Sequence, residues 1–357
     1  MPTHLTLTVI GNAPVTGLSD ALGINESGQV VGQEDSTFPI VWTPTTPNGT
    51  VGASLRLALP QIGGGPGNGT ATAINNLGDA VGFVDTLDPS GAPVTRAAFW
   101  LAGAGTVAEL GTLIPSFSPS GFFLGNSKAL GINDSRVIIG VSDSPTGSEH
   151  AFVFDPAIGF MRDLGSLVPL SMLPGTPDPS QAQGINNQGD IVGEATAVDA
   201  SGNLVAHAFL LAAGSFFMQD LGTLLPDPNN PGSFLGDSSA FAITGAGLVV
   251  GDSDAGLPVG TNSTPTFFQS GSLPGGLMPA IGAATAVNQN NTIVGNLGAP
   301  PSSAFRFDSS TGAAFDLTSA LGVPGTIIVR AAGINNANQI AAVAMIGGVS
   351  TGVLLTP

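Results

Sequence analysis

Cysteine and tyrosine are absent from this chain of 357 residues, and Lys128 is its only lysine. Without cysteine there is no disulfide, no thiolate metal site and no thiol nucleophile. Seven basic residues stand against 24 acidic ones, a net charge of -17. A phosphate-binding surface needs clustered Lys and Arg, so nucleic acid and anionic lipid are disfavoured as partners. No apolar run approaches the roughly 18 residues of a membrane span. The N-terminal stretch MPTHLTLTVIGNAP lacks a basic segment followed by an apolar core, so no intact signal peptide is expected. There is no G-x-S-x-G elbow, no H-E-x-x-H and no P-loop. Any histidine-dependent acid–base chemistry would rest on His4, His150 or His207.

What the chain has in abundance is one phrase. ALGINESGQVVG at 21–32 returns as ATAINNLGDAVG (71–82), ALGINDSRVIIG (129–140) and AQGINNQGDIVG (182–193). It continues as AFAITGAGLVVG (240–251), ATAVNQNNTIVG (284–295) and AAGINNANQIAA (331–342). The Asn falls at 25, 75, 133, 186, 288 and 335, with Thr244 in the fifth copy. A repeat of roughly 50 residues built from short strands is the signature of a propeller blade. A linear β-solenoid is the alternative, but its coils are shorter and its ends need caps.

Each copy reads as four strands. The first carries small and branched residues, as an innermost strand crowded around an axis requires. Asn-x-x-Gly then makes a tight hairpin, with Gly in the left-handed position. Asn291 and Asn338 tolerate that conformation, whereas Arg136 is expected to bring strain or a local rearrangement. The second strand ends in Val-Val-Gly, whose Gly faces an aromatic of the third strand. Third strands are expected at 38–42, 97–101, 150–154, 207–211, 266–268, 304–307 and 352–355. Outer strands are expected to end in AELGTL (108–113), RDLGSL (162–167), QDLGTL (219–224) and FDL (315–317). The seventh copy lacks an outer strand, and the alternating HLTLTVI at 4–10 is free to supply it, removing an open edge. The expected fold is therefore all-β: one seven-bladed β-propeller spanning 1–357, its last blade closed by the N-terminal strand.

With the INxxGxVVG, HAF and DLGTL phrases in fixed order, the chain resembles the HAF-repeat family of bacterial proteins. Literal HAF stands at 150–152 and 207–209, so two of the seven blades keep the His. The resemblance implies a repeat architecture and an extracellular or cell-surface location. It implies no catalytic activity, so no catalytic residue is carried over, and no sorting segment is recognised at the C-terminal end.

The unequal connections at 114–126, 168–180, 225–237 and 254–264 fall on one face of such a ring, where functional loops collect. Phe117, Phe122, Phe123, Met172, Leu173, Phe234 and Leu235 are the candidate partner-binding patch. The competing reading has 122–124 and 234–235 extend the next blade and pack inward. His150 and His207 share a repeat position, which favours a structural role over a metal site. Acids at Asp35, Asp85, Asp143, Asp178, Asp252 and Asp254 match no twelve-residue Ca²⁺ loop, so solvated turn acids are expected and no cofactor is assigned. The leading expectation is a non-catalytic extracellular or cell-surface module. It would bind a protein, a glycan or matrix component, or copies of itself. The alternatives are an extracellular hydrolase or lyase acting on a polymer at the channel mouth, and a structural subunit of a surface layer or filament.

Overall fold

The structure is a computed structural model that describes residues 5–10, 19–62, 65–88, 90–114, 124–168, 176–199, 202–230, 233–256, 263–269, 271–278, 280–298 and 303–357. Seven four-stranded antiparallel sheets follow one another along the chain. Blade 1 comprises Ser19–Ile24, Val30–Glu34, Phe38–Pro44 and Gly52–Arg56. Blade 2 comprises Gly69–Ile74, Ala80–Leu87, Pro93–Trp100 and Ala108–Glu109. Blade 3 comprises Ser127–Ile132, Ile138–Asp143, Glu149–Phe154 and Met161–Asp163. Blade 4 comprises Ser180–Ile185, Ile191–Val198, Leu204–Leu211 and Gln219–Asp220. Blade 5 comprises Ser238–Ile243, Val249–Asp254, Ser263–Phe268 and Gly275–Gly276. Blade 6 comprises Gly282–Val287, Thr292–Leu297, Ser303–Asp308 and Ala313–Asp316. Blade 7 comprises Thr326–Ile334, Ile340–Ile346, Val349–Thr356 and, as its outer strand, Thr6–Val9 from the other end of the chain. That strand pairs Thr6 with Thr356 and Val9 with Val353, which closes the ring as expected.

Seven apolar clusters hold the ring together, one at each blade–blade junction. The Asn-x-x-Gly turn forms as its chemistry dictates: Gly28, Gly78, Gly189 and Gly247 take positive φ, as do Asn291 and Asn338. Arg136 adopts the same conformation at φ 64 and keeps the turn, so the outcome is strain without rearrangement. Its guanidinium reaches across to blade 2 and donates to the fully buried Asp79 at 2.8 Å.

A β-bulge interrupts the first strand of every blade at the residue after the conserved Ala. The bulge brings a first-strand carbonyl against the Gly within the second strand, which runs on past it. A methyl on Gly140 would overlap the Lys128 carbonyl and touch the Phe152 ring; Gly193 meets Gln181 and Phe209 in the same way. The expected aromatic contact occurs in blades 3, 4 and 6, where Phe152, Phe209 and Phe305 stand opposite the Gly, whereas Ile40, Ala98 and Thr266 take that place in blades 1, 2 and 5; backbone approach is the tighter constraint throughout.

The outer strands are shorter than their phrases suggest. In blades 3 and 4 the strand stops at Asp163 and Asp220, whose side chains accept the N–H of Gly165 and Gly222, both at 2.7 Å. This turn directs Leu164 and Leu221 into the junction cores. The Gly-Thr that follows clamps the next blade: Thr223 donates to the Leu235 carbonyl and Ser238 to the Gly222 carbonyl. After the outer strand of blade 6 comes the one helix among the described residues, Leu317–Leu321, capped by Asp316 and ended by left-handed Gly322.

Candidate functional site

The antiparallel order sends the Asn hairpins and the third-to-fourth hairpins to one face, and the unequal loops to the other. On the hairpin face the repeated Asn side chains form a ring of hydrogen bonds. Each amide donates to the Asn carbonyl one blade on: Asn25 to Asn75, Asn75 to Asn133, and Asn133 to Asn186. Asn186 donates to Thr244, Asn288 to Asn335, and Asn335 back to Asn25. Each Asn Oδ1 also closes its own turn; that of Asn133 accepts from Ser135 and Val137 N–H at 3.0 Å. All six are buried. A second ring uses the next residue along, with Asn76, Asp134, Asn187, Gln289, Asn336 and Glu26 accepting backbone N–H groups of the preceding blade. Both rings lapse at blade 5, where Thr244 has no amide and Gly245 has no side chain.

The recurring His has a structural partner. His150 Nδ1 lies 2.9 Å from Asp163, and His207 Nδ1 lies 2.8 Å from Asp220. The HAF and DLG phrases are thus the two halves of one clamp between third and outer strands. In blade 3 the clamp has a third member, Asp178, 3.2 Å from His150 Nε2 on the loop leading to blade 4. Burial opposes protonation of His150, but hydrogen bonds and charge from Asp163 and Asp178 outweigh it and raise its pKa above the ordinary histidine value. In blade 4, Gly236 stands where Asp178 would, and the buried Nε2 of His207 has no hydrogen-bond partner. Arg96 holds the position in blade 2 and donates to the Gly125 carbonyl. Blade 1 reverses the roles, with Arg56 3.9 Å over the Phe38 ring and bonded to Glu34 and Asp35.

Of the seven candidate patch residues, Phe117, Phe122, Phe123, Met172 and Leu173 lie outside the described residues. Phe234 and Leu235 are half-buried. The Phe234 ring lies against Gly222 and meets His207 edge-on, with centroids 6.3 Å apart. Leu235 pairs through its backbone with Leu225.

The central channel holds about 260 Å³ and is lined by first strands of all seven blades. Its wall carries Leu22, Thr72, Leu130, Gln183, Phe241, Thr285 and Ala332 at the bulges, with an isoleucine two residues beyond in six of the seven blades. No titratable side chain is among those described residues. Charge gathers instead toward the loop face. Arg330 lies 3.5 Å from Asp20 of the next blade, and Lys128 sits over the Phe83 ring at 5.2 Å.

The turn acids also sort themselves by register. Asp85, Asp143 and Asp254 lie three residues beyond the second-strand Gly; Asp143 and Asp254 accept the N–H of Asn126 and Asp237, and Asp85 accepts from the Asn68 amide. Asp252 lies one residue beyond the Gly, so it is not their equivalent. Burial, with Glu194 and Asp254 nearby, pushes Asp252 up to about 6, against a hydrogen bond from Ser263. No group of three or more His, Asp or Glu suited to a metal ion occurs among the described residues.

Two clefts open on the loop face. One of about 460 Å³ lies beside the raised hairpin of blade 2, and one of about 170 Å³ lies between blades 3 and 4, lined in part by Glu149, Gln181 and Glu194. The hairpin face has a feature of its own. Phe216 and Phe217 are 80% and 82% exposed in the third-to-fourth hairpin of blade 4, and Ile158 and Phe160 are exposed in the corresponding hairpin of blade 3. Sequence reasoning passed over them, although Ser215-Phe216-Phe217 sits between a Gly and an outer strand where no core position is due.

This geometry makes the chain a seven-bladed β-propeller. No family model matches it, and no curated protein matches it in sequence. Among solved structures it is similar to the β-propeller domain of the trilobed protease from Pyrococcus furiosus, with 7% identity, 95% of each chain covered and a TM-score of 0.54. That propeller has an open velcro topology. It is also similar to a puromycin-hydrolyzing peptidase from Mycobacterium tuberculosis, with 13% identity and a TM-score of 0.51. There the alignment covers 99% of this chain and 51% of the peptidase, so the chain spans about half that protein's length. At such identities the likeness speaks for the fold alone.

Proposed function

We propose that the chain is a non-catalytic binding and scaffolding module that engages a protein, glycan or matrix partner through its loop face, outside the cell or at its surface. The observation that supports this most is the contrast between the faces. The hairpin face is bound into near-uniform rings, whereas the loop face carries unequal hairpins and the two open clefts. The channel wall offers no acid–base group among its described residues, and the buried histidines are spent on clamps. The location rests on the HAF-repeat resemblance. Among the described residues no helix is long and apolar enough to cross a membrane.

Carboxylate-directed cross-linking of the full chain in its native setting tests this reading. Cross-links at loop-face acids such as Asp85, Glu149 and Glu194 uphold it. Cross-links confined to Glu26, Asp134 and Asp155 overturn it. Turnover of a polymer by the purified chain, lost on Asp252→Asn, would do so as well.

A second reading, a self-associating surface subunit, draws on the exposed Ile158, Phe160, Phe216 and Phe217. Residues 212–218 contain no charged side chain, so this rim brings two highly acidic copies together with little local repulsion.

A further inference from the structure

We propose that the larger loop-face cleft is a binding site for a neutral saccharide; the inference rests on the loop-face reading above and specifies its ligand. One wall is a small hairpin of the blade 1 to blade 2 connection, Gln61–Ile62 paired with Gly65–Pro66. The other wall is the blade 2 hairpin, whose second and third strands run eight residues each, against five for the second strand of blade 1. The cleft holds about 460 Å³, within the usual range for small-ligand sites and enough for about one or two sugar rings.

Its lining has the chemistry of hydroxyl recognition. The Asp85 carboxylate takes the Asn68 amide at 3.1 Å and the Thr95 hydroxyl at 3.3 Å, and no basic side chain is among the lining residues. Its remaining lone pairs accept from hydroxyl donors, and a carboxylate that accepts from vicinal hydroxyls forms charge-assisted bonds. Asn68, Asn126 and Thr95 carry groups that both donate and accept, matching the dual character of a sugar hydroxyl. Ile62 and Val94 supply apolar surface for the C–H face of a ring. An anionic ligand would meet Asp85 and a chain at net -17, with no cation among the described lining residues to pair with. A cationic ligand would find one carboxylate, already shared with Asn68 and Thr95.

The probe is an array bearing neutral oligosaccharides, acidic oligosaccharides and extracellular matrix proteins. It is read with the full chain and with Asp85→Asn and Val94→Trp, each checked for a parental melting profile. The expected result is capture on neutral oligosaccharides. Asp85→Asn should weaken it at least about tenfold, the equivalent of one charge-assisted hydrogen bond, and Val94→Trp should abolish it by filling the cleft. Capture on matrix proteins or acidic glycans without neutral ones overturns the saccharide site and leaves the loop-face reading standing. Neutral-glycan capture that both variants retain overturns the site likewise. No capture on any surface overturns both.

Discussion

Replacing Asn133 by Ala removes three hydrogen bonds in a single change. Its amide donates to the Asn186 carbonyl at 3.2 Å, and its Oδ1 accepts from Ser135 and Val137. The residue is 4% exposed, so water replaces these partners poorly. The Asn186 carbonyl keeps the Gly189 N–H, which limits the damage. At about 1 kcal/mol per bond the expected cost is about 3 kcal/mol. Unfolding entropy of about 2.1 cal/mol/K per residue gives a chain of this length about 0.75 kcal/mol/K, so the melting temperature should fall by about 4 °C. Thr244→Asn is the converse change. It supplies the missing amide opposite the Asn288 carbonyl and keeps the turn acceptor that the Thr244 hydroxyl already offers the Leu248 N–H, and should raise stability by about 1 kcal/mol, or about 1 °C. Calorimetry and urea midpoints measure both, with exposed Ser135→Ala as a control expected within about 0.5 kcal/mol of the parent. If Asn133→Ala matches that control, or if Thr244→Asn destabilises while the ring geometry is retained, the ring does not hold the blades and the reasoning fails.

Three further outcomes follow from the buried charges and the exposed rim. Because the folded pKa of Asp252 is raised to about 6, its ionisation costs stability as pH rises from about 4 and costs most above about 6. Asp252→Asn should thus be neutral at pH 4 and stabilising by up to about 3 kcal/mol at pH 8, read from urea midpoints at the two pH values. His150 has the opposite sign: its raised pKa makes the clamp contribute fully below about pH 6.5 and fade as pH climbs through the folded value. Asp178→Asn should lower the His150 pKa by histidine-resolved NMR titration, and an unchanged titration would refute the double clamp. Phe216→Ser with Phe217→Ser should leave stability within about 0.5 kcal/mol, since neither side chain is packed. If the rim self-associates, the same pair should shift the sedimentation profile of concentrated protein toward the monomer.

The hairpin phrase was legible because its chemistry is local: Asn, a left-handed Gly and small residues act within one turn. The closing strand was legible because 4–10 alternates and the last copy lacks a partner for its outer edge. Other features were misread for the same local reason. LGTL looks like the end of a strand, yet Asp163 and Asp220 turn the chain before it, and only their bonds to Gly165 and Gly222 reveal why. The His–Asp clamp left a signal that was not used, a common spacing of 13 residues from His150 to Asp163 and from His207 to Asp220. Counting from the second-strand Gly would likewise have separated Asp252 from Asp254. The cleft beside blade 2 and the Phe216–Phe217 rim left no such trace. Ile62, Asn68, Asp85, Val94 and Asn126 meet only after the blades are stacked, and an exposed Phe pair spells the same letters as a buried one.

The strand that closes blade 7 also decides how the ring responds to force. Thr6 lies opposite Thr356, so anything tethered to the two ends of the chain pulls on the same end of one antiparallel ladder. Tension there opens that ladder a pair at a time, like a zip, instead of loading its four residue pairs together in shear. Anchored by one end, the ring carries no such load; stretched between both, it yields first at its outer edge, with the other six blades intact.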